Sequence, residues 1–235
     1  MNILEYENYQ EKISHGNPLF PYITYLCSIP LDFSYVPIHW HDEMEIIYIK
    51  KGHGIITVDF TQYQVSAGTL ALIIPGQLHS IEQYENESME YENIIFKPDL
   101  LSSGANDLCM IQYIVPLLDG SLPIEYFLTP ALGSFEALSN CIRQIDLVCA
   151  DQTPGWQLAV KSSLFNFFFL LISERQKKTV STSSNSKSLE KMKTVLKYVE
   201  NHYTEKLTID DMAELTYYSK SHFCLLYTSP SPRDS

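Results

Sequence analysis

The stretch HWHDEMEIIYIKKG, residues 39–52, decides the fold. It opens with two histidines two positions apart, His39 and His41, and Glu45 follows four positions later. Successive side chains of a β-strand point to opposite faces, so residues at an even spacing share one face. If the strand stays regular across the intervening turn, both imidazoles and the Glu45 carboxylate point the same way. A later histidine, His79, follows a Pro-Gly turn and begins another strand-like run.

Short β-branched and aromatic runs surround this stretch between about residue 21 and residue 96. Gly52 and Gly54 are expected to separate the first two runs, and further glycines and a Pro-Gly pair separate others. Many short strands without a long helix between them predict an antiparallel sandwich or barrel. The runs cover residues 46–49, 55–60, 70–74 and 93–96.

The composition is that of a globular chain. Its 235 residues are 45% hydrophobic and 19% charged, which is enough for one or two domains with a core and excludes a mostly disordered protein. The longest uninterrupted apolar run, residues 167–172, is too short to cross a bilayer, so we expect no membrane partner. The five cysteines form no Cys-x-x-Cys pair, which favours reduced thiols in the cytoplasm.

Helical periodicity replaces the strand pattern from about residue 99. Apolar residues recur at 3-4-3-4 spacing over 135–149, and a second apolar stripe over 156–171 is wider than one neighbouring element would cover. Two interpretations remain open for this helical pair. It either covers one sheet of its own domain, or it forms a subunit interface.

The charge distribution divides the chain near residue 187. The net charge is −12, and all of it lies in residues 1–186, because 187–235 contain seven basic and seven acidic side chains. An acidic body repels nucleic acid, so contact with DNA would need a local element. Residues 179–188 are rich in serine and threonine and read as a flexible linker. Thr208 is a candidate N-cap of a helix beyond this linker.

The first stretch resembles the cupin superfamily. The first cupin motif, His-x-His, three residues, Glu, six residues, Gly, is matched by His39, His41, Glu45 and Gly52. Phe33 stands where the usual upstream glycine would be, and the second motif is only approximated around Gly68, Pro75-Gly76 and His79.

Three interpretations compete for these histidines. In the first, a divalent transition metal is bound by His39, His41, Glu45 and His79. In the second, the same residues line a pocket for an organic ligand. In the third, they are hydrogen-bonded polar groups at the barrel mouth. Trp40 and Tyr48, together with Tyr22, are candidate walls of a ligand pocket.

Residues 195–223 look like the opening of an AraC/XylS-type DNA-binding domain, and that family also carries an N-terminal cupin, two dimerisation helices and a linker. The resemblance implies an α+β chain with a cupin barrel (1–98), a helical dimerisation segment (99–178), the linker (179–188) and a partial helix-turn-helix domain (189–224). It places Ser219, Lys220, Ser221 and His222 on a recognition helix that contacts DNA. Residues 225–235 read as a non-native tail, because Pro230 and Pro232 interrupt the last helix.

The resemblance implies a cytoplasmic regulator that senses a small molecule, for instance a sugar, and binds promoter DNA as a homodimer, with RNA polymerase as a further partner. The alternative is a metal-dependent cupin enzyme, an oxygenase or isomerase, that uses His39, His41, Glu45 and His79. The linker and the helix-turn-helix pattern argue against the enzyme. No residue identifies the effector, the operator, or activation as against repression.

Overall fold

The computed structural model describes residues 9–11, 13, 15–104 and 107–175, and individual residues at 198, 202, 208, 209, 211 and 212. The continuous part, up to residue 175, lies within one compact unit, Tyr9–Thr179. The isolated described residues from Tyr198 onward belong to a separate unit.

Antiparallel strands form the first half of the larger unit, as the sequence predicts. They are β1 (Tyr22–Ile29), β2 (Tyr35–His39), β3 (Met44–Val58), β4 (Thr61–Ser66), β5 (Leu70–Ile73), β6 (His79–Gln83), β7 (Met89–Phe96) and β8 (Phe127–Leu128). One sheet has the order β1-β7-β3-β5-β8. Strands β4 and β6 pair with the far half of β3, and β2 pairs with β6. The chain therefore has a cupin-like antiparallel fold, to which a few helices are added.

Strand β3 runs without a break through both halves of the fold, so the expected separation at Gly52 and Gly54 was wrong. Its first half pairs with β5 and β7, and its second half pairs with β4 and β6. Gly52 has a φ of +77° and follows a register shift between Ile49 and Lys51. The glycine thus permits a bulge that bends the strand instead of ending it.

Residues of β3 and β7 alternate between two hydrophobic cores. Ile47 and Ile49 belong to the core between the two halves of the sheet fold, whereas Met44 and Ile46 belong to the core beneath the helices. This alternation follows from the two-residue period of a strand. Glu45 points to the same side as Ile47, which places its carboxylate inside the sheet fold.

Helices follow the strands and cover one face of the sheet. After a 3-10 turn (Pro98–Leu101) and a π-helical segment (Met110–Ile114) come α1 (Val115–Leu118), α2 (Phe135–Asp151) and α3 (Trp156–Arg175). Leu138, Ile142 and Ile145 of α2 are fully buried in the core that α3 and the sheet share. The boundary predicted at residue 98 therefore divides strands and helices that share one core.

Helix α3 has two apolar faces. Val160, Leu164, Phe167, Phe168 and Leu171 are buried against the sheet and α2. On the other side, Leu158, Phe165 and Phe169 are exposed, Leu158 by 74% and Phe169 by 65%. The wide stripe in the sequence is thus the sum of a core face and a solvent face. Phe168 and Leu171 belong to the core of their own domain, so they are not available to a partner subunit.

The span Trp156–Glu174 is long and apolar enough to cross a membrane by length and composition, with a mean hydropathy of 1.3. Core helices of soluble proteins share this composition. The buried apolar side chains of α3 pack on the sheet of the same domain.

A partly buried ionic cluster joins the sheet to α2. The Lys50 ammonium of β3 lies 2.6 Å from a carboxylate oxygen of Glu92 in β7 and 3.2 Å from Asp146 in α2. The ring of Tyr48 lies beneath the ammonium, 4.3 Å away. Burial, and then the neighbouring Asp146 carboxylate, raise the pKa of Glu92 to about 7 although Lys50 opposes the shift.

We expect this cluster to make stability fall as pH rises from about 4.5 to about 7. The folded protein holds a proton on Glu92 that the unfolded chain releases. The stabilisation is therefore complete below the pKa of Glu92 in the unfolded chain and is lost as pH rises towards its pKa in the folded protein. The change is on the order of 2–3 kcal/mol. Urea unfolding of Glu92→Gln across this range should show a shallower pH dependence. An identical slope in both proteins would contradict the proton on Glu92.

Thr208 caps a helical turn in the separate unit, as predicted. Its hydroxyl accepts from the Asp211 amide at 3.3 Å, and the Asp211 carboxylate accepts from the Thr208 amide at 2.8 Å. Ile209, Asp211 and Met212 are helical. The predicted linker, the DNA-contacting residues Ser219, Lys220, Ser221 and His222, and the tail 225–235 lie outside the described residues.

Candidate functional site

Three histidines meet inside the sheet fold. His39 ends β2 and His79 begins β6, and the two residues face each other in the register of that strand pair. His41 precedes β3, and one ring nitrogen of each histidine lies within 4.8 Å of the others. His41 and His79 are buried, and His39 lies at the edge of the cluster. The even spacing of His39 and His41 correctly predicts their convergence.

Backbone carbonyls fix the orientation of all three imidazoles. Nδ1 of His39 donates to the Pro37 carbonyl oxygen at 2.9 Å, and Nδ1 of His41 donates to the Glu43 carbonyl oxygen at 3.1 Å. Nδ1 of His79 donates to the Gln77 carbonyl oxygen at 2.9 Å. A proton held on Nδ1 leaves Nε2 of a neutral imidazole as the atom with a free lone pair. This anchoring is the arrangement that metal-binding histidines need.

Glu45 lies between two of these rings. One carboxylate oxygen is 3.2 Å from Nε2 of His41 and 3.0 Å from Nε2 of His79. The carboxylate only accepts, so each contact requires a proton on Nε2 or a cation between the groups. Burial would raise the pKa of Glu45, but the hydrogen bonds from His41 and His79 hold it well below its usual range.

The electrostatics of the cluster favour positive charge at its centre. Burial lowers the pKa of His41, but the hydrogen bond to Glu45 and the nearby carboxylates raise it above its ordinary value. Burial and the adjacent His79 lower the pKa of His39, which keeps that ring neutral and its lone pair available. Three oriented imidazoles and one buried carboxylate form a donor set that fits a divalent transition metal.

Two predicted pocket residues lie away from the cluster. Tyr48 packs against the core beneath the helices, because it is three positions from Glu45 and points to the opposite face of β3. Tyr22 is buried in the same core. Both predictions as pocket walls are therefore corrected. Trp40 is half-buried and its backbone pairs with the N-terminal segment, where the Trp40 amide donates to the Tyr9 carbonyl at 3.0 Å.

The N-terminal segment supplies two residues that the sequence reasoning missed. Glu11 lies 3.0 Å from Nε2 of His15 and 3.9 Å from Nε2 of His39. His15 is 8% exposed, and its ring centroid is 5.9 Å from that of His41. Among its described residues, this segment pairs with the sheet fold only through an isolated bridge between Gln10 and Trp40, so no strand periodicity in the sequence indicates its position.

Comparison with known proteins identifies the relatives of this fold. The AraC-like ligand binding domain family matches residues 20–168. An uncharacterized HTH-type transcriptional regulator of Bacillus subtilis, YbfI, is 26% identical over 192 residues, which are 82% of this chain and 65% of the relative. A second regulator of that organism, YdeC, is 23% identical over 93% of this chain and 74% of its own length. The chain thus spans just under two thirds of the length of YbfI.

Solved structures show local similarity only. A cupin protein from Bacteroides fragilis is 24% identical and covers 37% of this chain and 79% of its own, with a TM-score of 0.32. A predicted oxalate decarboxylase from Thermotoga maritima is 29% identical over 32% of this chain and 65% of its own, with a TM-score of 0.30. Because the family match spans more than half of the sequence and contains the histidine cluster, this chain belongs to the AraC-like ligand-binding domain family.

Proposed function

We propose that the protein is a transcription regulator that responds to a small-molecule effector through its cupin-like domain. The observation that carries the proposal is a buried His/Glu cluster inside a domain of the AraC-like ligand-binding family. The names of YbfI and YdeC as HTH-type transcriptional regulators support the same function. A regulator of this kind works in the cytoplasm, binds promoter DNA and contacts RNA polymerase.

A divalent transition metal held by His39, His41, His79 and Glu45 is part of the proposed sensor. Its positive charge would replace the protons that the Glu45 contacts otherwise require. The metal would leave a coordination position for a ligand atom of the effector, which ties effector affinity to the metal. A polyhydroxylated effector such as a sugar is suited to such a position because it presents several oxygen ligands.

The same donor set would also serve a metal-dependent oxygenase or isomerase, which is the alternative function. Such an enzyme needs an acid or base beside the metal, and Glu43 is the nearest candidate, 3.8 Å from Nδ1 of His41. We favour the regulator, and propose no catalysis, since both regulator names belong to relatives that match more than four fifths of this chain.

The exposed face of α3 is proposed as the dimer interface. Leu158, Phe165 and Phe169 are spaced by seven and four residues, so they lie on one side of the helix. Leu147 of α2 is also exposed, by 59%. A second copy of the chain would bury this apolar face in a two-fold symmetric contact. Each residue of the face would then be buried once in each subunit.

We expect Phe169→Glu to convert a dimer into a monomer. Burial of one such side chain contributes about 1.5–3 kcal/mol, and the two-fold contact loses it on both sides. Phe60→Glu is a matched control, because Phe60 is 64% exposed and lies outside the interface. Sedimentation at micromolar concentration should give dimers for the wild type and the control. A wild-type protein that sediments as a monomer would contradict the interface.

DNA binding tests the regulator itself. A dimer contacts two half-sites, so a monomeric Phe169→Glu protein should bind promoter DNA more weakly than the Phe60→Glu control. We expect the 235-residue chain to bind weakly at physiological salt, with affinity that rises steeply as salt is lowered. Mobility-shift titrations with the upstream region of its own gene measure both effects. Equal retention of the Phe169→Glu protein and the Phe60→Glu control would contradict a regulator that acts as a dimer.

A further inference from the structure

A cavity of about 450 Å³ lies outside the histidine cluster. Three elements line it on one side of the open cavity: the N-terminal turn, the segment that follows β7, and α3. Its lining consists of residues 15–21, Lys97, Asp99, Leu100 and Lys161. This volume is within the range of sites that hold small metabolites.

The walls of the cavity are held in place. Gly16 has a φ of +77°, and a Cβ atom there would lie 2.7 Å from the Tyr22 amide nitrogen, so the turn packs directly on the start of β1. The Phe20 ring contacts the ring of Trp156 edge-on at 5.2 Å, which ties the turn to the start of α3. The Lys97 amide donates to the Pro21 carbonyl at 3.1 Å. The cavity is therefore largely preformed.

Its lining is basic in a chain of net charge −12. Two lysines, Lys97 and Lys161, line the cavity from different elements, against a single carboxylate, Asp99. Within the described residues, Lys161 makes no ion pair, and the nearest partner of Lys97 is Glu43, at 4.0 Å. Lys161 thus has no ionic partner among the described residues and Lys97 has only a long one, which favours an anion at this cavity.

The remaining polar groups offer a donor and an acceptor that suit hydroxyls. The Asn17 Oδ1 atom accepts from the Leu19 amide at 2.9 Å, which leaves its amide protons available as donors. Asp99 has a free carboxylate among the described residues, and a carboxylate accepts from a ligand hydroxyl. Phe20 and Leu100 supply an apolar wall for a carbon chain.

We propose that this cavity binds a small hydroxylated carboxylic acid, with its carboxylate on Lys97 and Lys161 and its hydroxyls on Asp99 and Asn17. The site is distinct from the proposed metal and effector site, although Glu43 lies between them, with one oxygen 3.8 Å from His41 and the other 4.0 Å from Lys97. A carboxylate bound to Lys97 would compete with Glu43 for that lysine.

Gluconate and sorbitol are the matched probes, because both have six carbons and several hydroxyls but only gluconate has a carboxylate. Isothermal titration calorimetry on the 235-residue chain should give gluconate a Kd at or below about 1 mM and sorbitol at least tenfold weaker binding. Lys161→Gln and Lys97→Gln should each weaken gluconate binding by about tenfold, the loss of one charge-assisted contact.

Two controls separate this site from the others. Lys51→Gln removes a lysine of β3 that is 74% exposed and far from the lining, and should bind gluconate as the wild type does. Treatment with a chelator removes any metal from the proposed metal site without changing a residue, and should leave gluconate binding intact. Equal affinity for sorbitol and gluconate, no gluconate binding at about ten times the expected Kd, or unchanged binding by Lys161→Gln would each overturn the proposal. Thermal melting of each variant verifies that it is folded.

Discussion

Gly52→Ala is expected to lower the free energy of unfolding by about 4 kcal/mol or more, the largest stability effect of any substitution proposed for this chain. A Cβ atom at Gly52 would lie 1.8 Å from the Ser88 carbonyl oxygen, which is backbone and cannot rotate away. The positive φ of +77° adds its own cost for any residue with a side chain. Together they force apart β3 and the start of β7.

Gly120→Ala separates the two contributions. Gly120 has nearly the same φ, +76°, but no atom lies within 4 Å of the position of its Cβ. It should therefore lose only about 1–2 kcal/mol, the cost of a left-handed backbone in a non-glycine residue. Urea unfolding monitored by circular dichroism compares the two. If both variants lose the same free energy of unfolding, the close approach of the Ser88 carbonyl oxygen does not contribute to the destabilisation of Gly52→Ala.

His41→Ala is expected to lower the affinity for a transition metal more than about 100-fold, since loss of even an outer-shell partner of a ligand costs 10–100-fold. The substitution also removes one of the two donors to the buried Glu45 carboxylate. Elemental analysis should find about one metal ion per wild-type chain and almost none in the variant. Competition with a chelator gives the change in affinity.

His53→Ala is the control for this experiment. His53 is exposed, pairs with Glu87 at 2.7 Å, and lies outside the cluster. It should keep the wild-type metal content. A metal-free wild-type protein that still binds an organic effector would contradict the metal site and support a pocket in which the same histidines bind the effector directly.

The even spacing of His39, His41 and Glu45 predicted that their side chains meet, although β2 ends at His39 and β3 begins at Met44, so the three do not lie on one regular strand. His39 and His41 share one face at a spacing of two, and Glu45 follows at an even step on β3. His79 comes from a later strand, and its place opposite His39 depends on strand pairing, which the spacing of a single segment does not contain. The cupin resemblance supplied that long-range contact. The two long helices followed from the change in hydrophobic period, and the resemblance to the AraC/XylS family implied the α+β class.

The errors have physical causes of the same kind. Glycine was interpreted as the end of a strand, yet Gly52 lies at a bulge within one continuous strand. Tyr48 was placed with the histidines by its aromatic character, although its odd distance from Glu45 sends it to the other face. Glu11 and His15 reach the site through a segment without periodicity, so only the tertiary structure locates them.

Strand β3 carries two different sets of contacts on its opposite faces. Glu45 faces the histidines, and five positions later Lys50 faces Glu92 and the α2 residue Asp146. The segment between them is hydrogen-bonded on both edges, to β5 and to β7, so it moves as a stiff unit. The histidine cluster and α2 are therefore linked through one rigid strand and the two ion pairs of Lys50.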